Sequence, residues 1–268
     1  MITLRDGNVS QLCPAGKAYA GAIMHEAELK RRSVGALSSV LPDAQAARFE
    51  AAAQRAGHQL EGRTVWNVSS TETGGGVAEM LHNLLGYFLD AGVRSRWLIV
   101  DGDKRFFALT KRLHNAIHGV APEQPFTDED HADYRRVLAQ NLTGLVQPGD
   151  IVMLHDPQTA GLVEALRGTG ARVAWRSHIG SDTPSPASVQ GWEFLRRYLE
   201  RADAFVFSRR QYAPDWLDRD RLWLIPPSID PLSAKNRVLT RVRPDRHRGH
   251  VEGKGRSSPA PSAEFKTR

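Results

Sequence analysis

Three short segments of this sequence combine residue types that can hold a polar ligand. The first runs Ser69-Ser70-Thr71-Glu72-Thr73-Gly74-Gly75-Gly76-Val77. Glycines let a backbone approach a ligand with no Cβ in the way. A helix beginning just after them aims free N–H groups and the positive end of its dipole at the same place. A diphosphate or a sugar hydroxyl could be held there. A flexible turn is the other reading, because the run matches neither the Gly-x-Gly-x-x-Gly fingerprint nor a Walker A loop. The second segment is His155-Asp156-Pro157-Gln158. Its imidazole, carboxylate and amide can together hydrogen-bond a polyol, or Asp156 can simply cap the helix that follows. The third is Trp175-Arg176-Ser177-His178-Ile179, in which His178 could donate to a hydroxyl and Arg176 could face an anion. A histidine satisfied within the fold is the alternative there.

Other pairings are weaker. His114 and His118 stand four apart on an expected helix, but Asn115 occupies the position a metalloprotease gives to glutamate, so no metal site is expected. Asn67-Val68-Ser69 and Asn141-Leu142-Thr143 fit the glycosylation sequon, which has meaning only in a secreted protein.

The elements that must position these segments alternate in type. Arg63–Ser69, Arg96–Val100, Asp150–Leu154, Arg172–Trp175, Ala204–Phe207 and Leu222–Ile225 read as strands. Val77–Leu89 carries Val77, Met80, Leu81, Leu84, Leu85 and Phe88 at helical spacing, with Gly92 beyond it. Asp103–His118 sets Phe106, Leu109, Leu113 and Ile117 on one face, and Gly119 stops it. Further helices are expected over Asp128–Val146, near Leu162–Arg167 and over Val189–Glu200. An earlier one, Ala44–Ala56, ends at Gly57. The pattern predicts an α/β protein with a doubly wound, Rossmann-like parallel sheet. In such sheets ligands bind at the carboxyl ends of the strands, near a switch in strand order. All three candidate segments fall at strand ends.

Composition sets the outer bounds. The chain has 268 residues, 41% of them apolar and 25% charged, which excludes a disordered, collagen-like or disulfide-scaffold protein. No apolar run approaches the ~20 residues that cross a bilayer. Met1 to Asn8 has no apolar core, so no signal peptide is expected. A lone cysteine, Cys13, cannot form an internal disulfide and fits a reducing compartment; a cytoplasmic location is the expectation. The net charge of +6 lies wholly in residues 237–268, which hold nine basic and three acidic residues, whereas residues 1–236 hold 27 of each. The body therefore lacks the excess positive charge a polyanion would need, and nucleic acid is not an expected partner. Beyond Leu239 the large apolar residues are only Val242, Val251 and Phe265. That tail is expected to be disordered, as the unselected or frame-altered end of a shortened reading frame; a basic arm that grips nucleic acid is the rival reading. The expected division is an N-terminal, partly helical extension over 1–60, a Rossmann-like domain over 61–236 and a basic tail over 237–268.

Taken together, the motifs resemble one family. Trp66-Asn-Val-Ser-Ser-Thr-Glu-Thr-Gly-Gly-Gly-Val-Ala-Glu-Met-Leu81, Asp101-Gly-Asp through Phe106-Phe107, and Thr110-Lys-Arg-Leu-His-Asn115 are similar to the N-terminal half of trehalose glycosyltransferring synthases, retaining glycosyltransferases of the GT-B fold. So are His155-Asp-Pro-Gln158, Trp175-Arg-Ser-His-Ile179 and Ile225-Pro-Pro-Ser-Ile-Asp-Pro-Leu-Ser-Ala-Lys-Asn236. The likeness runs from about Gly62 to Asn236. Trehalose phosphorylases share much of the pattern.

The resemblance implies transfer of glucose from a nucleoside-diphosphate glucose to glucose, giving trehalose with retained configuration and no bound cofactor. It implies that Gly74, Gly75 and Gly76 approach the donor phosphate and that His178 sits by the reacting glucosyl group. Lys111, His114, Asn115, His155, Asp156, Gln158 and Arg176 become acceptor-side candidates. Two departures qualify it. Where the family commonly has His-Ile-Asp, this chain has His178-Ile179-Gly180, with Asp182 the nearest acid. The family's second domain, with its Glu-x7-Glu carboxylates and basic phosphate-binding residues, has no counterpart after Asn236. The expectation is half an enzyme, inactive alone, that needs a separate C-terminal half or a second copy; a non-catalytic sugar-binding module is the rival.

Overall fold

The computed structural model describes residues 24–139, 144–233 and 236. Cys13, the Asn141 sequon and the basic tail lie outside them.

Seven strands form one sheet in the order β1-β3-β2-β4-β5-β6-β7. They are β1 (Met24–Glu26), β2 (Thr64–Ser69), β3 (Arg94–Val100), β4 (Ile151–His155), β5 (Arg172–Ser177), β6 (Ala204–Phe207) and β7 (Leu222–Leu224). All neighbours pair in parallel except β1, which runs antiparallel to β3 with Met24 opposite Val100. This three-residue edge strand was not expected, because Met-His-Glu shows no strand-like apolar pattern. An ion pair from Arg96 to Glu26 and burial of Met24 hold it in place.

Alternation along the strands divides the side chains between two cores. Trp66 and Val68 of β2, Val152 and Leu154 of β4, Val173 and Trp175 of β5, and Phe205 and Phe207 of β6 enter the larger core. Four helices cover it: α4 (Lys104–Ile117), α5 (Asp128–Ala139), α6 (Val163–Gly168) and α7 (Pro186–Leu199). The apolar stripe of α4 is the one its spacing predicts, with Phe106, Leu109, Leu113 and Ile117 all buried. Asp103 caps it, its Oδ1 accepting from Phe106 N at 2.9 Å. On the other face, α3 (Gly75–Asp90) packs Ala78, Leu81 and Leu85 against Trp97 and Ile99 of β3. The crossover from β2 to β3 thus lies on one face and the later ones on the other, as right-handed connections in opposite directions require.

Two boundaries differ from expectation. The helix α2 (Asp43–Gln59) runs through Gly57 rather than ending there. A Cβ on Gly57 would stand 2.4 Å from the Ala91 carbonyl oxygen, so this glycine permits a close approach and does not stop a helix. The α5 helix does not reach Val146: residues Gly144 to Val146 lie outside it, and Gln147 turns back, its Nε2 donating to Gly144 O at 3.1 Å. A short α1 (Val34–Ser38), capped by Ser33, was also unforeseen. Among the described residues no helix is long and apolar enough to cross a membrane.

Candidate functional site

Strand order reverses at β2, with β3 on one side and β4 on the other, so the loops leaving β2 and β4 diverge and open a crevice. Residues 70–76 form one lip. The lip is ordered: Ser69 Oγ accepts from the buried Trp97 Nε1 at 2.9 Å and donates to Thr71 O, and Thr71 Oγ1 donates to Thr73 O at 2.6 Å. His25 of β1 pairs with both Glu72 and Asp101, at 3.5 and 3.2 Å, and so braces the lip from the sheet edge. Gly74 and Gly75 have φ of +74° and +79°, which only glycine adopts without strain. Gly74 is the N-cap of α3 and makes no side-chain bond to it, so the N–H groups of the first turn are not capped. A Cβ built on Gly74, Gly75 or Gly76 would meet nothing within 4 Å, so space lies open above the run.

The opposite lip is built from β4 and β5. His155 closes β4 and sits directly across from Arg176 of β5. Its side chain shares a face with Asn67 of β2, because both alternate away from the Trp66–Leu154 core. His155 Nε2 lies 3.0 Å from Asn67 Oδ1, and His155 Nδ1 lies 3.0 Å from His178 Nε2. The two imidazoles stand 5.3 Å apart and nearly parallel. Asp156 is the one non-glycine residue with positive φ, +63°, among those described. A non-glycine residue keeps this left-handed conformation where surrounding contacts fix it. Here the Asp156 N–H donates to Arg176 O, its carbonyl accepts from Trp175 Nε1, and its carboxylate accepts from His178 N at 2.7 Å. The helix-cap reading of Asp156 is therefore corrected: its side chain ties two strand-end loops together. Arg176 is buried, with its Nε unpartnered among the described residues.

Burial controls the charge states. It pushes His178 down to about 3, with the Arg176 charge adding to the effect. His155 is lowered well below the usual histidine range by burial, then by His178 and Arg176. Asp156 moves the other way, raised by burial to about 7 even though the His178 N–H and Arg176 favour its anion. Burial also draws Arg176 below its ordinary range. At neutral pH the two rings are uncharged. They are suited to hydrogen-bonding a hydroxyl and not to delivering a proton.

The structure thus gathers His155, Asp156, Arg176 and His178, with Gln158 half-buried just beyond on the same loop. It does not join Lys111, His114 or Asn115 to them. Among the described residues no hydrogen bond or ring contact links those three to the cluster. Lys111 is exposed on α4, and the His114 ring lies 4.7 Å from that of His118. Asn67 was missed as a site residue. Its signal was a polar side chain between Trp66 and Val68, on the opposite face of the same strand. Next to the cluster, Tyr212 packs on Gly180, where a Cβ would come within 2.2 Å of the Tyr212 ring. Behind that contact lies a separate groove of about 420 Å³, lined among others by Asp182, Trp192, Tyr212 and Trp216.

The sequence pattern of the trehalose synthase N-terminal domain matches residues 67–214, more than half of the chain. This chain belongs to the trehalose synthase family. The trehalose synthase of Rubrobacter xylanophilus is 42% identical over 188 residues, covering 68% of this chain and 44% of that protein. The one from Pyrococcus horikoshii is 35% identical over 207 residues, covering 77% and 48%. The chain therefore spans about half the length of these family members. A trehalose phosphorylase of Pleurotus pulmonarius is more distant, at 29% identity and a quarter of its own length. Among solved structures, an α,α-trehalose 6-phosphate synthase from Burkholderia multivorans overlays 56% of this chain and 40% of its own, with a TM-score of 0.43 and 18% identity. The matched span of the trehalose synthase family includes every one of the candidate site residues.

Proposed function

We propose that this chain carries the acceptor-facing wall of a GT-B glycosyltransferase that moves glucose from a nucleoside-diphosphate glucose to glucose, forming trehalose with retention. The observation that carries this reading is the convergence of His155, Asp156, Arg176 and His178 opposite the Gly74–Gly76 lip, at the point where strand order reverses, in a chain of the trehalose synthase family. In this reading Gly74, Gly75, Gly76 and the α3 N–H groups approach the donor phosphate, and His178 lines the reacting sugar. His155, Asp156, Gln158 and Arg176 orient the acceptor, while Lys111, His114 and Asn115 stand apart on α4. The bond from the sugar C1 to the phosphate oxygen breaks as the acceptor hydroxyl attacks from the same face, and the leaving phosphate takes the acceptor's proton. Positioning and charge stabilisation supply the catalysis, so neither a carboxylate nucleophile nor a metal is called for. The reaction belongs to the cytoplasm, where such donors would be met.

In this reading the nucleotide is gripped by a second wall, supplied by a C-terminal half or a second copy. The weaker likeness to trehalose phosphorylases makes phosphorolysis the less favoured direction. A coupled assay with UDP-glucose and glucose tests the proposal. The chain alone should release no trehalose, and adding the C-terminal half of the Rubrobacter protein should restore turnover that His178→Ala abolishes. Turnover indifferent to His178 would overturn it.

A further inference from the structure

Asn67, His155 and His178 form a chain of three side chains joined by two links. Both ring nitrogens of His155 are engaged: Nε2 with Asn67 Oδ1 and Nδ1 with His178 Nε2, each at 3.0 Å. A neutral imidazole has one donor and one acceptor nitrogen, so the proton on one end of each ring determines the other. An amide oxygen can only accept. His155 must then carry its proton on Nε2 and present a lone pair at Nδ1. That lone pair needs a donor, so His178 must carry its proton on Nε2, leaving Nδ1 bare. Burial and the neighbouring Arg176 cation keep a second proton off either ring. His178 is half-buried, and its Nδ1 has no hydrogen-bond partner among the described residues.

We infer that Asn67 is a positioning residue that fixes, through His155, the tautomer of His178, so that His178 presents an acceptor nitrogen at the strand ends, one that accepts a hydrogen bond from a ligand hydroxyl. This reverses the direction the sequence suggested, in which His178 donates. It rests on the reading above only for the identity of the hydroxyl as a sugar's. The opposite orientation of the Asn67 amide would place Nδ2 on His155 and reverse both rings. Asn67 Nδ2 is itself buried without a partner in the orientation described, so the two arrangements are open to direct test.

Long-range proton–nitrogen NMR on the full chain with labelled histidine distinguishes them at neutral pH, with His178→Gln assigning the signals. The expected spectrum shows His155 and His178 each protonated at Nε2 and bare at Nδ1. Protonated Nδ1 on both rings would overturn the inference. Asn67→Leu removes the accepting oxygen and should turn the His178 signals into a tautomer average; an unchanged His178 would show that Asn67 does not set it. Should Asn67→Leu fail to fold, His155→Phe cuts the same chain and carries the same two outcomes. Glucose added to the wild-type sample separates the two claims. The tautomer pattern decides the relay with or without sugar, whereas His178 signals blind to saturating glucose would count against the acceptor-side reading alone.

Discussion

The carboxylate of Asp156 accepts the backbone N–H of His178 at 2.7 Å, and this single bond joins the loop that leaves β4 to the loop that leaves β5. It spans 22 residues of sequence and fixes where the His178 ring stands. Because the same carboxylate is held out of water, the bond also makes the site sensitive to pH.

Asp156 has a folded pKa of about 7, raised from 3.8. An acid held above its unfolded value binds its proton more tightly in the folded state. Its contribution to stability is full below 3.8 and is lost as pH rises toward about 7. Asp156→Asn keeps an accepting oxygen for His178 N and abolishes the titration. Its melting temperature, measured against that of the wild type, should therefore improve from pH 4 to about pH 7 and level off above it. A constant difference across that range would contradict the assignment.

The histidines act in the opposite sense. His178 is depressed to about 3 and the buried His131, stacked on Phe194 at 3.9 Å, to about 4. Groups with lowered folded pKa contribute stability above the unfolded value of 6.5, and that contribution disappears as pH falls through the folded pKa. Calorimetric melting should show stability declining from pH 6.5 downward, with a shallower decline in His178→Gln. The slope should not vanish, since His131 and His155 still titrate.

At the other end of the sheet, Asp150 accepts from Thr64 N, Trp66 Nε1 and Gln147 N, at 2.8, 2.9 and 3.0 Å. Asp150→Ala strands buried donors, and each such loss costs about 1–3 kcal/mol. Denaturant unfolding should show a loss of about 3 kcal/mol with the site chemistry otherwise intact; a loss below about 1 kcal/mol would mean water replaces the carboxylate.

The family resemblance implies an aspartate where this chain has Gly180. With Tyr212 Cγ only 2.2 Å from a built Cβ, Gly180→Asp must displace the ring and should destabilise by about 1–3 kcal/mol, as overpacking does. Combining it with Tyr212→Ala should recover most of that loss beyond the cost of Tyr212→Ala alone, which a double-mutant cycle measures.

Much of this was legible in the sequence, and for identifiable reasons. The strands β2 to β7 and the stripes of α3 and α4 follow from apolar spacing alone, so the α/β sheet and the strand-end loops could be read directly. What spacing could not give was tertiary. The edge strand β1 depends on Arg96 reaching Glu26, and Gly57 sits within a helix because Ala91 approaches it. The site shows the same division. His155, Asp156, Arg176 and His178 were visible as chemistry at strand ends. Asn67 gained its role only when β2 and β4 were set side by side, and Asp156 lost its cap role only when His178 came within reach.

The central claim is that the ends of β2, β4 and β5 form a sugar-binding wall. Amide chemical-shift mapping during a glucose titration of the full chain tests it most directly. Shifts concentrated at residues 74–76, 155–158 and 176–178, and weakened roughly tenfold in apparent affinity, or about 1.4 kcal/mol, by His178→Ala, are the predicted result. Shifts confined to the groove around Trp192, Tyr212 and Trp216, or none at saturating sugar, would contradict it.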